Sequence, residues 1–302
     1  MLTDRSIWET LPGLPLLSDT PMCGHTSFCI GGPADLLAVP RDREELAALL
    51  ALAAEHETPV FPMGCGANLL VSDKGIRGLV VKTHPGLDFV ERLGESEISA
   101  GAGALLSSVA SAAADWGLSG LAFAYGIPGT VGGAMVMNAG AYGGEMSQVV
   151  RKVRGLSRFQ TPMELSNEEA AFAYRCSYFA YNPDITVISA VFKLQPGDRE
   201  AIWRDMNMFW ERRRASQPLE YPSAGSVFKR PPGYFAGKLI QDCGLKGAAI
   251  GDAQVSEKHT GFIINRGGAT CEDVKRLIAH IQETVLARCG VELACELKFV
   301  GE

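Results

Sequence analysis

The sequence predicts an α+β fold, with two small α/β units in the N-terminal half and a third unit from about residue 198. Three observations lead there. Helix-type apolar stripes alternate with short runs of extended, β-branched residues. Pro85-Gly86 and Pro196-Gly197 punctuate the chain. The 302 residues are enough for two or three domains with cores of their own.

The elements follow in order. Asp42 caps a helix whose Glu45 closes the box, with Leu46, Leu49, Leu50 and Ala53 as its stripe up to about Glu57. TPVFPMG reads as a short strand ending in a glycine turn and GLVVKT as another, so residues 20–83 form a small α/β unit. Residues 88–104 alternate as strands do, and Leu105 to Trp116 is an Ala/Ser-rich helix able to pack closely. VVRKVRGLSRF, PMELS and ITVISAVFKLQP read as strands, with a short helical turn at Asn167 to Ala171. Asp198 caps a helix carrying Ile202, Met206, Phe209 and Trp210, which stops before Pro218. Thr270-x-x-Asp273 opens another, with Val274, Leu277, Ile278, Ile281 and Val285, and the chain ends in the strand-like VELACELKFVG.

Composition excludes several function classes. The chain is 47% hydrophobic and 21% charged, which is globular rather than disordered. A net charge of -6 supplies no phosphate-binding surface for nucleic acid. The basic run Arg212 to Arg214 reads as a solvated helix end. The longest apolar stretch, Leu46 to Ala54, is too short to cross a bilayer, and MLTDRSIWET shows no secretory signal. Eight scattered cysteines without a CxxC pair fit reduced cytosolic thiols, and hence a cytoplasmic location. The five histidines show no HxxxH or HxH spacing, so no metal is expected.

Glycine stands out. Of 34, 11 fall within the 44 residues from Gly101 to Gly144, without a collagen period. Gly64-Cys65-Gly66-Ala67-Asn68-Leu69 places a glycine turn after a strand, open between a structural turn and a phosphate contact; no Walker Lys-Ser/Thr follows it. Gly126-Ile-Pro-Gly-Thr-Val-Gly-Gly-Ala, followed by Met137-Asn-Ala-Gly-Ala-Tyr-Gly-Gly, is open between a packed turn series and backbone laid against a flat or phosphorylated ligand. Polar residues in apolar or turn-rich settings complete the candidates: Arg175, Ser177, Ser223, Ser226, Lys238, Asp252, Glu257, Lys258, His259, Asn265 and Glu296. In LACELKF, parity puts Glu296 on the face opposite Leu293, Cys295 and Leu297, which is either solvent or a site.

Together, TSFCIGGPA, GCGANLLVSDKGIRGLVV, YGIPGTVGGAMVMNAGAYGGEM, AYRCSYF, the stretch from PSAGSVFKRP to KHTGFIINRGGAT, and LACELKFVGE resemble the UDP-N-acetylenolpyruvoylglucosamine reductases. The match runs over nearly the whole chain and its order and spacing are family-like. The resemblance implies two FAD-binding subdomains of the vanillyl-alcohol oxidase-like type, at 1–84 and 85–197, with residues 293–302 returning to the first. A C-terminal α/β substrate-binding domain occupies 198–292. It implies FAD as cofactor, NADPH as reductant, a UDP-sugar substrate in peptidoglycan precursor synthesis, no nucleic-acid or membrane partner, and a monomer or weak homo-oligomer.

The resemblance also implies roles. Arg175 and Glu296 match the family's residues for stabilising charge on the enolpyruvyl group, and Ser226 matches its proton donor. A guanidinium can fork onto the substrate carboxylate. Glu296 helps only if protonated or sharing a proton, so its pKa is expected to rise in the closed complex. Gly64, Cys65, Gly66, Ala67, Asn68, Leu69, Gly129, Thr130, Gly132, Gly133, Asn138, Ala139 and Gly143 match cofactor-binding positions. Tyr174, Lys229, Lys238, His259 and Asn265 match substrate-side ones. The family commonly reads TSFRIGGPA, GSNLLV, YRDS, FKNP and KHAGF where this chain has Cys29, Ala67, Cys176, Arg230 and Thr260. The length and the short interval from Tyr174 to Ser226 match the compact subtype. A flavin oxidase of a small alcohol or sugar, and a non-catalytic nucleotide-binding module, are the competing readings.

Overall fold

The computed structural model describes Trp8, Leu14 and residues 16–302. The other N-terminal residues, on which the reading of MLTDRSIWET rests, lie outside the described residues. The chain divides into two compact units. The first holds Asp35–Cys65 and Gly78–Arg213 with the described residues up to Ser18; the second holds Asp19–Ala34, Gly66–Arg77 and Arg214–Glu302.

Among the described residues the first strands and helix are β1 (Leu16–Pro21), β2 (Pro33–Ala38), α1 (Arg43–Glu55), β3 (Val60–Met63), β4 (Leu69–Val71) and β5 (Ile76–Lys82). β1, β2, β5 and β3 form a sheet in that order, with β3 and β5 parallel. Asp42 caps α1 by accepting the Glu45 N–H at 2.8 Å. The Glu45 carboxylate turns to the Arg41 N–H at 2.7 Å and to the Arg41 guanidinium, so the expected reciprocal bond closes one residue earlier than a capping box would. Leu46, Leu49, Leu50 and Ala53 are buried as the stripe predicts, packed with Leu36, Leu79 and Val81 in one core cluster.

The first unit continues with β6 (Val90–Arg92), β7 (Glu97–Gly101), α2 (Leu106–Asp115), β8 (Leu118–Ser119), α3 (Val131–Met137), β9 (Gly140–Ala141), β10 (Gly144–Glu145), β11 (Val150–Ser157), β12 (Pro162–Ser166), α4 (Tyr178–Tyr181), β13 (Ile185–Lys193), β14 (Gln195–Pro196) and α5 (Arg199–Ser216). Its antiparallel sheet runs β12-β11-β13-β7-β6. The small side chains of α2 bury Val109, Ala110, Ala113 and Ala114 in a core shared with Ile98, Val131, Val153 and Phe192.

The second unit ends the chain with α6 (Ala236–Asp242), β15 (Ala249–Ile250), β16 (Ala253–Val255), β17 (Ile263–Asn265), α7 (Cys271–Cys289) and β18 (Lys298–Val300). β15, β16 and β17 form a meander, and β18 lies parallel to β4. Thr270 and Asp273 make the expected capping box, and the five apolar positions of α7 are all buried. VELACELKFVG is strand only over its last part, because residues 294–296 instead bond to the segment around Val227. Among the described residues no helix is long and apolar enough to cross a membrane.

Candidate active site

In the first unit the two glycine-rich segments meet. A Cβ added at Gly64, just past β3, would stand 2.1 Å from Thr130 Oγ1, so only glycine lets this turn close on the start of α3. Residues 129–132 run beside 102–106: the Leu106, Val131 and Gly132 amides donate to the Gly129, Ala104 and Ala102 carbonyls at 3.0, 2.9 and 2.9 Å. This approach explains Gly132, whose added Cβ would lie 3.1 Å from that of Ala102. Gly101, Gly103, Gly140 and Gly144 are likewise required by backbone or side-chain atoms closer than 3.0 Å.

Gly129 and Gly133 differ. A Cβ there meets nothing nearer than 4.0 and 3.7 Å respectively, and neither has a positive φ. Neither packing nor backbone conformation within the described residues calls for glycine at these two positions. A bare strip of backbone beside Thr130 is the cradle a closely bound cofactor needs, and the residues present fit FAD in that respect. Gly143 has φ +86 and an open surrounding.

Asn138 ends α3 in the left-handed conformation, buried. Its Nδ2 donates to the Ala173 carbonyl at 3.1 Å and its Oδ1 accepts the Ser147 N–H at 2.9 Å. Asn138 thereby ties the AYRCSYF segment to the glycine loop. Ala139 continues the loop, its N–H bonded to the Ala134 carbonyl at 3.0 Å. Ala173 and Cys176 exchange backbone bonds of 2.9 and 3.1 Å, which leaves Tyr174 and Arg175 at the tip of a tight turn. Arg175 holds φ +56, rare for a side-chain-bearing residue and of the kind that concentrates at functional sites. Its Nη2 donates to the Gly140 carbonyl at 3.3 Å, and its guanidinium stands 5.3 Å from the centre of the exposed Tyr174 ring.

Sequence reasoning missed two residues of this unit. Tyr142, φ +53 in the glycine loop, stacks on Phe209 of α5 with ring centres 4.7 Å apart and planes 6° from parallel. Arg213, read as part of a solvated helix end, is 9% exposed, with its guanidinium 5.9 Å from the Tyr142 ring centre. Burial lowers its pKa, while Tyr142 acts in the opposite direction. The signal was available: Ile202, Met206, Phe209 and Arg213 fall on one helical face.

In the second unit, Ser226 and Glu296 are brought to neighbouring backbone segments. The Glu296 N–H donates to the Val227 carbonyl at 2.7 Å, the Lys229 N–H donates to the Ala294 carbonyl at 2.8 Å, and Phe228 pairs with Cys295. On its other edge Ser226 pairs with Phe262, and the Val227 N–H reaches the Gly261 carbonyl at 2.9 Å. Ser226 is exposed after Gly225, which adopts φ +78, and Glu296 is half-buried. Asn68 Nδ2 donates to the Glu296 carbonyl at 3.1 Å, so the turn at Gly66, Ala67 and Asn68 that leads into Leu69 of β4 also anchors the acid's backbone. Gly66 takes φ +69 and its carbonyl accepts the Ser27 N–H at 3.2 Å.

The remaining substrate-side candidates are held by their neighbours. Lys238 Nζ bonds both carboxylate oxygens of Asp242 at 2.9 Å. His259 Nδ1 accepts the Gly261 N–H at 3.1 Å, and burial lowers its pKa, so it stands as a neutral imidazole with Nε2 protonated. Asn265, 2% exposed, donates to the Phe28 carbonyl at 3.1 Å and accepts the Gly267 and Ala269 N–H groups at 2.8 and 3.1 Å. It fastens β17 to the TSFCIGG segment.

A glycine cradle beside a capped helix, within α/β layers, defines the class: residues 34–157 match the FAD binding domain, so the chain is a flavoprotein of that fold. Residues 217–300 match the C-terminal domain of UDP-N-acetylenolpyruvoylglucosamine reductase. The reductase of Caldanaerobacter subterraneus subsp. tengcongensis is 53% identical over 302 residues, covering 100% of this chain and 99% of that protein. That of Agathobacter rectalis is 49% identical over 99% of this chain and 98% of its own. The crystal structure of the Thermus caldophilus reductase superposes with a TM-score of 0.82 at 34% identity, covering 95% of this chain and 98% of that one. The chain belongs to the UDP-N-acetylenolpyruvoylglucosamine reductase family. The expected α+β class, with an FAD-binding part followed by the family's C-terminal domain, holds.

Proposed function

We propose that this chain catalyses the NADPH-dependent, FAD-mediated reduction of the enolpyruvyl ether of UDP-N-acetylglucosamine to UDP-N-acetylmuramate. Within this reading residues 1–84 and 85–197 bind FAD and 198–292 bind the UDP-sugar; the pairing of β18 with β4 supports the return of 293–302 to the first of these. Gly64, Gly129, Thr130 and Gly133 line the cofactor's bed, and Cys65, Gly66, Ala67, Asn68, Leu69, Gly132, Asn138, Ala139 and Gly143 shape it.

FAD held by these residues would supply hydride chemistry at the methylene carbon of the enolpyruvyl group, with NADPH as the reductant. The protein's part is to hold the charge that builds on the neighbouring carbon and its carboxylate. Arg175, fixed by its turn and the Gly140 carbonyl, places a guanidinium for the substrate carboxylate. Glu296 in protonated form donates to the same developing charge, which favours the transition state over the ground state. Ser226 Oγ gives its proton to the carbon beside the carboxylate, completing addition of one hydride and one proton across the double bond. Tyr174, Lys229, Lys238, His259 and Asn265 serve the substrate and its diphosphate, His259 and Asn265 by holding the backbone around it.

The observation that carries the proposal is the registered pairing of the Ser226 and Glu296 segments through Val227. It gives the donor and the acid one rigid support. The test is stopped-flow flavin absorbance in two half-reactions. NADPH is expected to bleach the flavin, and the enolpyruvyl nucleotide to restore it. Ser226→Ala is expected to leave bleaching intact and slow restoration by about 10²–10⁴-fold. Restoration by oxygen alone, with no muramate product, would show an oxidase instead.

A further inference from the structure

α6 and α7 of the second unit end in the same way. Cys243 follows the last residue of α6 and precedes Gly244 at φ +71; Cys289 is the last residue of α7 and precedes Gly290 at φ +66. Their Sγ atoms are 3.6 Å apart. A Cβ on either glycine would meet nothing within 4 Å, so both chain ends have room to adjust. Arg288 Nη1 donates to the Cys243 carbonyl at 3.0 Å and holds the two helix ends together.

We propose that Cys243 and Cys289 form a site of oxidative modification, closing to an intramolecular disulfide when they meet a low-molecular-weight disulfide. Cysteine side chains on two abutting helix ends need only small rotations to bring sulfurs from contact to the bonded distance of about 2.05 Å. Access sets the order of events. Cys289 is exposed, whereas Cys243 is buried and its thiol pKa is raised by that burial. The Cys289 thiolate attacks one sulfur of the small disulfide, breaking its S–S bond and expelling one thiolate. The Cys243 thiolate then attacks Sγ of Cys289, breaking the mixed disulfide and expelling the second. Two protein thiols are oxidised, the small disulfide takes up the two electrons, and the two protons pass to the expelled thiolates.

The cross-link would close the chain between the two helix ends around a shared core of Leu239, Ile240, Leu277, Ile278 and Val285. It therefore limits the unfolded chain and raises stability. Neither cysteine belongs to the proposed chemistry, so the modification is separable from turnover.

The test uses the full-length, FAD-loaded protein treated with oxidised glutathione. The expected product has lost about 2 Da against the reduced chain and carries no glutathione at either cysteine. Peptide mapping should join the Cys243 and Cys289 peptides, and the thermal midpoint should rise by several degrees and fall back with dithiothreitol. Cys289→Ser should keep its FAD and lose all three responses. Alkylating Cys289 in the reduced wild type should do the same without a substitution. A glutathione adduct that persists on Cys289, or a cross-link joining other cysteines, would overturn the proposal.

Discussion

Two threonines start two helices in this protein, and the ends they make are opposites. At α7, Thr270 Oγ1 accepts the Asp273 N–H at 3.0 Å and Asp273 returns the bond to the Thr270 N–H at 3.1 Å. Asp73 takes the Cys271 and Glu272 amides at 2.8 and 3.1 Å. Two carboxylates and one hydroxyl close that end. At α3, Thr130 Oγ1 reaches the Gly133 N–H only at 3.5 Å, no acidic residue stands in the first turn, and the Val131 and Gly132 amides go to the backbone of Ala104 and Ala102. One end is sealed by side chains; the other is pinned from behind by backbone, with glycine on its outer face. Side chains are kept away from the outer face of α3 at Gly129 and Gly133, where an added Cβ would meet nothing nearer than 3.7 Å.

The largest effect should come from breaking the pinned side of α3. In Gly132→Val the added methyls would drive into Ala102, already 3.1 Å from an added Cβ, and force apart the hydrogen bond that the Gly132 N–H donates to the Ala102 carbonyl. A loss of about 3 kcal/mol is expected, read as a lower urea midpoint. An unchanged midpoint would mean that the approach of 129–132 to 102–106 is not a structural requirement.

At the sealed end the effects are smaller. Asp73→Ala strips a charged acceptor from two amides and should cost about 1–2 kcal/mol, with Asp73→Asn recovering part of it. Thr270→Ala should cost about 1 kcal/mol. The Asp273 carboxyl is held below its ordinary value of 3.8, first by the Thr270 N–H and then by the Thr270 hydroxyl. A depressed folded pKa stabilises above the ordinary value and loses that contribution as pH falls below 3.8 through the folded one. The stability gap between wild type and Asp273→Asn should therefore narrow on acidification below that value; a gap that widened would contradict the box.

The contrast also marks what sequence could reveal. The Thr270 box was legible because all its groups lie within four residues, and the α1 and α7 stripes because helical period alone sets them. The Gly126–Gly144 cluster was legible as unusual but not sortable, since the partners of Gly132 and Gly144 are Ala102 and Phe123. Contacts so remote in sequence leave no local pattern. The same holds for Asp73, whose helix begins far downstream, and for the register that pairs the segment of Ser226 with that of Glu296, Val227 standing opposite the acid. Arg213 was misread for a different reason: its charge outweighed its place on the buried face of α5. Arg175, Ser226 and Glu296 were singled out by resemblance, not by spacing.

The smallest expected change in stability is the most discriminating for the α3 face. Gly133 lies within a helix, exposed, with a negative-side φ and only ordinary contact, 3.7 Å to Thr130 Oγ1, awaiting a Cβ. Judged by the protein alone, alanine should be better there, because glycine costs a helix up to about 1 kcal/mol. Gly133→Ala should therefore raise the urea midpoint of the flavin-free protein while weakening FAD in a fluorescence titration. The two readouts must move in opposite directions if this glycine is kept for a ligand at the expense of the fold. Greater stability with unchanged FAD affinity would remove Gly133 from the cofactor's bed. Lower stability would place an unrecognised packing demand on that face and make α3 more like α7 than its hydrogen bonds suggest.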